Sequence, residues 1–341
     1  MSAKPHSLRS RATVKGVIAI VLWSSLALLA LVTRDLPAFE VLAITFGIGG
    51  LANLLMPSSQ QGLSARWRQP WAAFSLTVFS LFGYHALYFV AFRFAPAVEV
   101  NLINYLWPLL IVMFAMLPPG ASVNRWQIAG SLTGLSGVAF MMTGGSGAEL
   151  SAKHLTGYGC AFAAALVWSS YSVLNRRFHA VSSSSLGASC MAVALLAALA
   201  HLAFETTIMP DVWQCAFLVL MGLGPVGIAF RLWDQGTKHG DLGVLGTLSY
   251  AAPVLSTLLL LLSGRAEAHW GQAVAVALLL FGAWLSVHLG RDRTVNEPNP
   301  GQANLGNAEK AVSVRGELPS RARGEIPCCR SSSSEEKVRS W

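Results

Sequence analysis

The sequence has few charged residues: they make up 12% of its 341 residues, against about 25% in an average soluble domain. The shortage is greatest before residue 291, because residues 291–341 hold 16 of the 40 charged side chains. Roughly 8% of residues 1–290 are then charged, too few to cover the surface of a soluble fold. Soluble and disordered classes are therefore excluded for 1–290, and the 54% of hydrophobic residues predicts an all-α polytopic membrane protein.

Motifs for catalysis and for metal binding are also missing. The sequence contains no HExxH, no GxSxG and no phosphate-binding glycine loop. Its five cysteines show no zinc-type spacing. We therefore expect no enzyme activity, no cofactor and no metal. The net charge of +8 comes without a basic face or an interleaved aromatic module, so we expect no nucleic-acid partner.

Apolar segments long enough to span a lipid bilayer recur along the chain, since a spanning helix needs about 20 apolar residues. Ten segments reach this length, and they cover residues 14–32, 38–56, 71–92, 98–116, 126–143, 156–175, 185–204, 212–232, 242–262 and 270–289. Short connections join them, which predicts one compact bundle of ten transmembrane helices.

Lys and Arg side chains are divided unequally between the two sets of span ends. Thirteen flank one side of the predicted bundle and four flank the other. Because cytoplasmic flanks carry the excess of positive charge, we expect both termini to be cytoplasmic. Residues 1–13 would form the N-terminal segment. Residues 291–341, rich in Ser, Gly, Glu and Arg, are predicted to be a disordered cytoplasmic tail.

The sequence matches itself when it is shifted by 145 residues. The coinciding pairs include Trp23 with Trp168, Tyr105 with Tyr250, and Pro108 with Pro253. We therefore predict two five-helix repeats, at 14–143 and 156–290. Five is an odd number, so the second repeat must lie inverted relative to the first. Inverted repeats are typical of transporters, whose substrate site lies between the halves near the middle of the membrane.

Two prolines are predicted to break the fourth and ninth spans. Pro108 and Pro253 each remove a helix hydrogen bond and free the carbonyl four residues earlier, at Asn104 and Ser249. Such breaks are tolerated at membrane depth where a neighbour or a wet cavity satisfies the backbone. The tyrosine three residues before each proline either lines such a cavity or fills a packing kink.

Two tryptophans lie near the middle of the first and sixth spans. Tryptophan prefers the membrane interfaces, but Trp23 and Trp168 are central, and each is followed by two serines. These serines fit a polar cavity wall and close helix packing equally well.

The third span carries the most polar central cluster. His85 is ionisable and lies between Tyr84 and Tyr88, which makes it a functional candidate by default, although a lone buried histidine is often structural. Trp233 coincides with Tyr88 under the 145-residue shift, which supports a lining role. Tyr171 lies one turn after the tryptophan of the sixth span and either lines the cavity or packs.

Acidic residues are absent from the middle of the predicted spans. Glu99, Glu205, Asp234 and Asp241 are all expected near span ends. Proton-coupled carriers usually bury a carboxylate. This placement therefore argues against proton coupling, unless His85 or Glu99 substitutes.

Four stretches carry a resemblance to a known family: residues 18–24, 98–108, 233–240 and 249–256. They are similar to the drug/metabolite transporter superfamily of EamA type, and within it to the YddG-type aromatic amino acid exporters. The resemblance covers about residues 10–290. It implies an alternating-access transporter around a central cavity, which exports aromatic and related neutral amino acids across the bacterial inner membrane.

Rival interpretations keep the fold and change the substrate to purines, amino acid derivatives or drugs. A rival of another class is an intramembrane enzyme on lipid-linked substrates. By matching motif, the resemblance assigns cavity or gate roles to Trp23, Tyr105, Trp107, Trp168, Trp233 and Tyr250.

The other candidates come from the residue arguments above and from the need for polar partners. The whole substrate-binding set is Trp23, Tyr84, His85, Tyr88, Asn101, Tyr105, Trp107, Trp168, Tyr171, Trp233 and Tyr250, with Pro108 and Pro253 as helix-break residues. Aromatic walls stack on a substrate ring and attract its ammonium group. His85, Asn101 and Asn104 are the expected partners of its carboxylate. The bundle is expected to work as a monomer.

Overall fold

The computed structural model describes residues 5–56, 69–117, 125–143, 151–264 and 270–289, and the predicted tail at 291–341 lies outside them. All regular elements within these ranges are helices, and they form ten spans, numbered α1 to α10 in chain order. The first five are α1 (Pro5–Ser24 and Leu26–Val32), α2 (Ala38–Leu55), α3 (Trp71–Phe94), α4 (Ala97–Asn104 and Trp107–Phe114) and α5 (Arg125–Thr143). The second five are α6 (Leu155–Leu174), α7 (Leu186–Phe204), α8 (Val212–Met221, Gly222–Ile228 and Ala229–His239), α9 (Leu242–Leu248 and Ala251–Leu262) and α10 (Trp270–Trp284 and Leu285–Leu289).

The prediction of a ten-helix membrane protein is confirmed. Within the described ranges, nine spans are long and apolar enough to cross a membrane. The tenth, α5, is less apolar. It contains small residues, and these bring its backbone against α10. A Cβ atom added at Gly130 would lie 2.4 Å from the Gly282 carbonyl oxygen. Small residues at such contacts let membrane helices approach closely.

Helix starts follow ordinary capping chemistry. Pro37, Pro70 and Pro96 immediately precede α2, α3 and α4 with extended backbone angles, as expected for a residue that donates no backbone hydrogen bond. Asp211 begins α8 with a capping box, and its side chain accepts a 2.8 Å hydrogen bond from the Gln214 N–H.

Both predicted proline breaks are present. The α4 helix is interrupted between Asn104 and Trp107, and α9 between Leu248 and Ala251. The Ser249 carbonyl is not left unpaired, however, because the Ala252 N–H donates to it at 3.1 Å. The backbone at this break is therefore partly satisfied by its own chain.

Three further interruptions were not predicted. The α1 helix breaks at Ser25, α8 contains a π-helical segment around Pro225, and α10 ends in a π-helical segment, Leu285–Leu289. A proline removes one helix donor and widens the turn locally. The α8 helix then runs on to His239, so the predicted end at residue 232 is wrong. The α1 helix also starts earlier than predicted, at Pro5.

The two ends of the bundle differ in charge. At the end where α1 begins, Arg9 pairs with Asp241 at 2.7 Å, and the Arg176 guanidinium donates to the Gly240 carbonyl at 2.9 Å. We call this the basic end. The opposite end carries the buried side chains of Glu40, His201 and Glu205.

Each span of one half packs on a span of the other half. The α1 helix packs on α8, α3 on α6, α2 on α7, α4 on α9, and α5 on α10. Exchanging each helix with its partner in the other repeat converts the first pairing into the second and leaves the other three unchanged. This is the packing expected of two inverted repeats related by a pseudo-twofold axis.

Candidate functional site

A cluster of aromatic rings occupies the middle of the bundle, and we call it the ring cluster. Its members lie in contact with one another through centroid distances of 4.5–7 Å, the range of stacked and edge-to-face pairs. They are Trp23 from α1, Phe46 from α2, Tyr84, His85 and Tyr88 from α3, Trp107 from α4, Trp168 and Tyr171 from α6, and Phe230 and Trp233 from α8. Eight of the eleven predicted substrate-binding residues belong to it.

Trp168 is the centre of this cluster. Its ring centroid lies 5.6 Å from that of Trp23, 5.5 Å from that of Tyr84 and 6.2 Å from that of Trp233. Trp107 meets it edge-on at 6.4 Å. These partners come from both repeats, so Trp168 lies where the two halves meet.

Hydrogen bonds fix two tryptophans of the cluster, and the first of these bonds joins the two halves. The Trp23 indole N–H donates to the Pro225 carbonyl at 2.9 Å, in the π-helical segment of α8. The Trp233 indole N–H donates to the Ser172 hydroxyl of α6 at 3.2 Å. A buried indole N–H needs a hydrogen-bond acceptor. The Pro225 carbonyl, in the interrupted part of α8, is that acceptor for Trp23 and holds its ring in place.

Polar groups of α3 and α4 flank the rings. The Asn104 amide donates to the Tyr84 hydroxyl at 3.1 Å, and the Tyr88 hydroxyl donates to the Asn101 side-chain oxygen. His85 donates from Nδ1 to the Leu81 carbonyl at 2.7 Å. In the neutral ring Nε2 is then an acceptor, which suits a substrate ammonium group better than the expected carboxylate.

The two break tyrosines lie outside the ring cluster as far as the described residues show. Tyr105 lies at the break of α4, next in the chain to Asn104, whose amide donates to the Tyr84 hydroxyl. Tyr250 is fully buried and packs on α5, where a Cβ atom added at Gly134 would lie 2.7 Å from its ring. Tyr250 therefore resembles the packing alternative, and the cavity role of Tyr105 stays a prediction.

Several residues near the site were not predicted from the sequence. Phe46 and Phe230 also contact rings of the cluster, but apolar helices contain many phenylalanines and nothing in the pattern distinguishes these two. Asp234 lies close to the end of α8, as expected, but it is only 3% exposed and was not counted among the site residues. Its ion pair with Lys238, four residues later, has the spacing of helix neighbours, which is a signal in the sequence.

A small polar cavity lies around this ion pair, toward the basic end. It is lined by Gln69, Ala73, Thr77, Asn175, Val181, Ser182, Ser183, Leu186, Ser189, Asp234 and Lys238. Among the described residues no group of three or more His, Cys, Asp or Glu side chains is arranged to hold a metal ion. The site thus combines stacked rings with hydrogen-bonding and charged groups, which together suit an amphipathic small molecule.

Comparisons with known proteins agree with this architecture. The model of the EamA-like transporter family matches residues 11–143 and 155–288. The chain is 44% identical over 287 residues to a protein of Ancylobacter novellus named aromatic amino acid exporter YddG, covering 83% of this chain and 99% of the relative. A protein of Escherichia coli K12 with the same name is 28% identical over 304 residues, at 83% and 99% coverage. A crystal structure of a 43% identical protein matches with a TM-score of 0.79, covering 83% of this chain and 99% of that one.

Proposed function

This chain belongs to the EamA-like transporter family, and from that premise we propose that it exports aromatic and related neutral amino acids. Family membership makes it a membrane transporter rather than an enzyme. The substrate class is supported by relatives named aromatic amino acid exporter, of which the chain covers 99%.

The observation that carries the proposal is the ring cluster between the two halves. A substrate ring gains about 0.5–1.5 kcal/mol from each well-placed aromatic neighbour, and Trp168, Trp107 and Trp23 offer such faces from three spans. A substrate ammonium group over Trp or Tyr gains about 0.5–2 kcal/mol more. His85 Nε2 and the amides of Asn101 and Asn104 supply neighbouring polar partners.

The substrate-binding set of this proposal keeps Trp23, Tyr84, His85, Tyr88, Asn101, Tyr105, Trp107, Trp168, Tyr171, Trp233 and Tyr250. Tyr250 contributes to this set by packing at the break of α9, and not by offering a ring face to the substrate. We assign the two repeats to residues 14–143 and 156–290. Their similar halves favour two states, open at one end or at the other, as alternating access requires.

We further propose that the protein lies in the bacterial inner membrane as a monomer, with its basic end and both termini in the cytoplasm. Arg9, Lys15 and Arg176 gather at this end, in keeping with the positive-inside rule. Exposed tryptophans at helix starts fit the two membrane interfaces: Trp71 at the basic end and Trp213 and Trp270 at the other.

Efflux from liposomes tests the proposal. Purified protein is reconstituted, the vesicles are loaded with phenylalanine or alanine, and loss of each is followed without a pH gradient. We expect faster efflux of phenylalanine than of alanine, because alanine has no ring for the cluster. Adenine added as a competitor separates the purine alternative from the amino acid one.

Two results would contradict the proposal. Equal efflux of both amino acids would remove the role of the ring cluster in selectivity. No phenylalanine efflux, with or without an imposed pH gradient, would exclude aromatic amino acids as substrates.

A further inference from the structure

An ion pair lies buried in α8 beside the ring cluster. The Lys238 ammonium contacts an Asp234 carboxylate oxygen at 2.9 Å, and both side chains are 4% exposed. By comparison, the paired side chains of Arg9 and Asp241 at the same end are 38% and 25% exposed. Ionisable groups buried in a span are costly, and they often mark substrate pathways.

Neutral groups of the connection between α6 and α7 hold this pair. Asn175 donates to one oxygen of the Asp234 carboxylate at 2.8 Å, and Ser183 donates to the other. The Lys238 ammonium also donates to the Val181 carbonyl at 3.0 Å. Each charge is thus stabilised by neutral dipoles as well as by its partner, so the pair can separate without leaving either charge unsolvated.

The pair lies next to the place proposed for the substrate ring. Asp234 directly follows Trp233, a member of the ring cluster. Trp233 donates to the Ser172 hydroxyl of α6 at 3.2 Å. Asn175, three residues later in the chain, donates to the Asp234 carboxylate at 2.8 Å. The stacked rings and the two opposite charges therefore adjoin along the end of α6.

An aromatic amino acid carries the complementary arrangement: a ring joined by a short link to an ammonium and a carboxylate group. We propose that the Asp234–Lys238 pair receives this zwitterionic headgroup when the basic end is open. The Asp234 carboxylate then takes the substrate ammonium, and the Lys238 ammonium takes the substrate carboxylate. The inference rests on the proposed function, since it concerns the headgroup of the same substrate.

Competition by incomplete analogues tests the assignment in the same liposomes. The analogue 3-phenylpropionate lacks the ammonium group, and phenethylamine lacks the carboxylate. Each is added on the side of the basic end, and the concentration that halves labelled phenylalanine efflux is measured. This readout needs residual transport only, and it does not depend on leakage of the analogues through the bilayer.

The two single variants are expected to change selectivity in opposite directions. Asp234→Asn leaves Lys238 alone, so 3-phenylpropionate should gain about tenfold in potency relative to phenethylamine. Lys238→Met leaves Asp234 alone, so phenethylamine should gain by about the same factor relative to 3-phenylpropionate. The matched control is Asp241→Asn, which removes an ion pair at the same end and keeps a helix-capping side chain; it should leave the ratio unchanged.

Because a single variant leaves an uncompensated buried charge, the neutral double variant Asp234→Asn/Lys238→Met completes the set. It should recognise both analogues as poorly as the wild type does, and phenylalanine less well than the wild type does. An unchanged potency ratio in both single variants would overturn the proposal and leave the pair with a structural role only. Wild-type protein that moves no phenylalanine would instead overturn the proposed function, and the headgroup site with it.

Discussion

Trp168 illustrates how a single residue joins the two repeats. It lies on α6, but its ring partners include Trp23 of α1, Tyr84 of α3 and Trp107 of α4. A ring in this position serves packing and substrate contact together, and the two roles can be separated by graded substitution.

We expect Trp168→Ala to lower the initial rate of phenylalanine efflux by about tenfold, the loss of one or two ring contacts. It should also lower the free energy of unfolding by about 3–5 kcal/mol, the usual effect of emptying a buried aromatic site. Trp168→Phe keeps a ring and should retain more of both. Initial efflux rates per amount of reconstituted protein and thermal unfolding in detergent measure the two effects.

The control for this series is Trp213→Ala, which removes a tryptophan that is 74% exposed at the start of α8. Its efflux rate should stay close to that of the wild type. A Trp168→Ala protein that unfolds earlier but transports phenylalanine at the normal rate would confine Trp168 to packing.

At the scale of helices, the contact between α5 and α10 depends on glycine. The Gly130 and Gly282 backbones approach so closely that an added Cβ atom would meet a carbonyl oxygen at 2.4 Å. Carbonyl oxygens cannot rotate away as side chains do, so the helices must separate to admit a methyl group.

Gly130→Ala should therefore lower the free energy of unfolding by about 1–3 kcal/mol through overpacking. The matched control is Gly159→Ala in α6, where nothing lies within 4 Å of the added Cβ atom. That change should raise stability by up to about 1 kcal/mol, because alanine favours the helix. Thermal unfolding of the two variants side by side checks the prediction, and equal midpoints would contradict the close contact.

Helix number and the two proline breaks were predictable because each depends on local sequence. Apolar length predicts a span, and Pro108 and Pro253 interrupt their helices wherever these pack. The π-helical segment at Pro225 and the continuation of α8 to His239 were missed, although the proline was visible. A break can widen a helix or end it, and neighbouring helices decide which.

Residue roles at the site were harder to predict because they depend on packing between distant segments. Tyr105 and Tyr250 coincide in the repeat, but Tyr250 is fully buried and packs on Gly134, whereas Tyr105 is only partly buried. Pseudo-symmetry of sequence therefore does not require equal roles. Phe230 joined the ring cluster without any distinguishing pattern.

For the molecule as a whole, the pairing of spans between the halves suggests how it changes state. At both ends of this structure, polar contacts join helices of the two halves. At the basic end, α1 is joined to α9 by Arg9 and Asp241. At the other end, Glu205 after α7 accepts hydrogen bonds from the Phe39 and Glu40 N–H groups at the start of α2. Alternating access requires the contacts at each end to part in turn.

A cross-link at the basic end tests this requirement. In a protein whose native cysteines are replaced by alanine, Arg9→Cys and Asp241→Cys are joined by a cleavable bifunctional thiol reagent. We expect phenylalanine efflux to fall to the level of protein-free vesicles and to recover after reduction, because α1 and α9 belong to different halves and must separate for the basic end to open. The single Asp241→Cys variant, treated in the same way, carries the reagent without the cross-link and should keep its efflux. Unhindered efflux from fully cross-linked protein would mean that substrate reaches the ring cluster without any separation of α1 from α9, and would contradict opening of the basic end between these two helices.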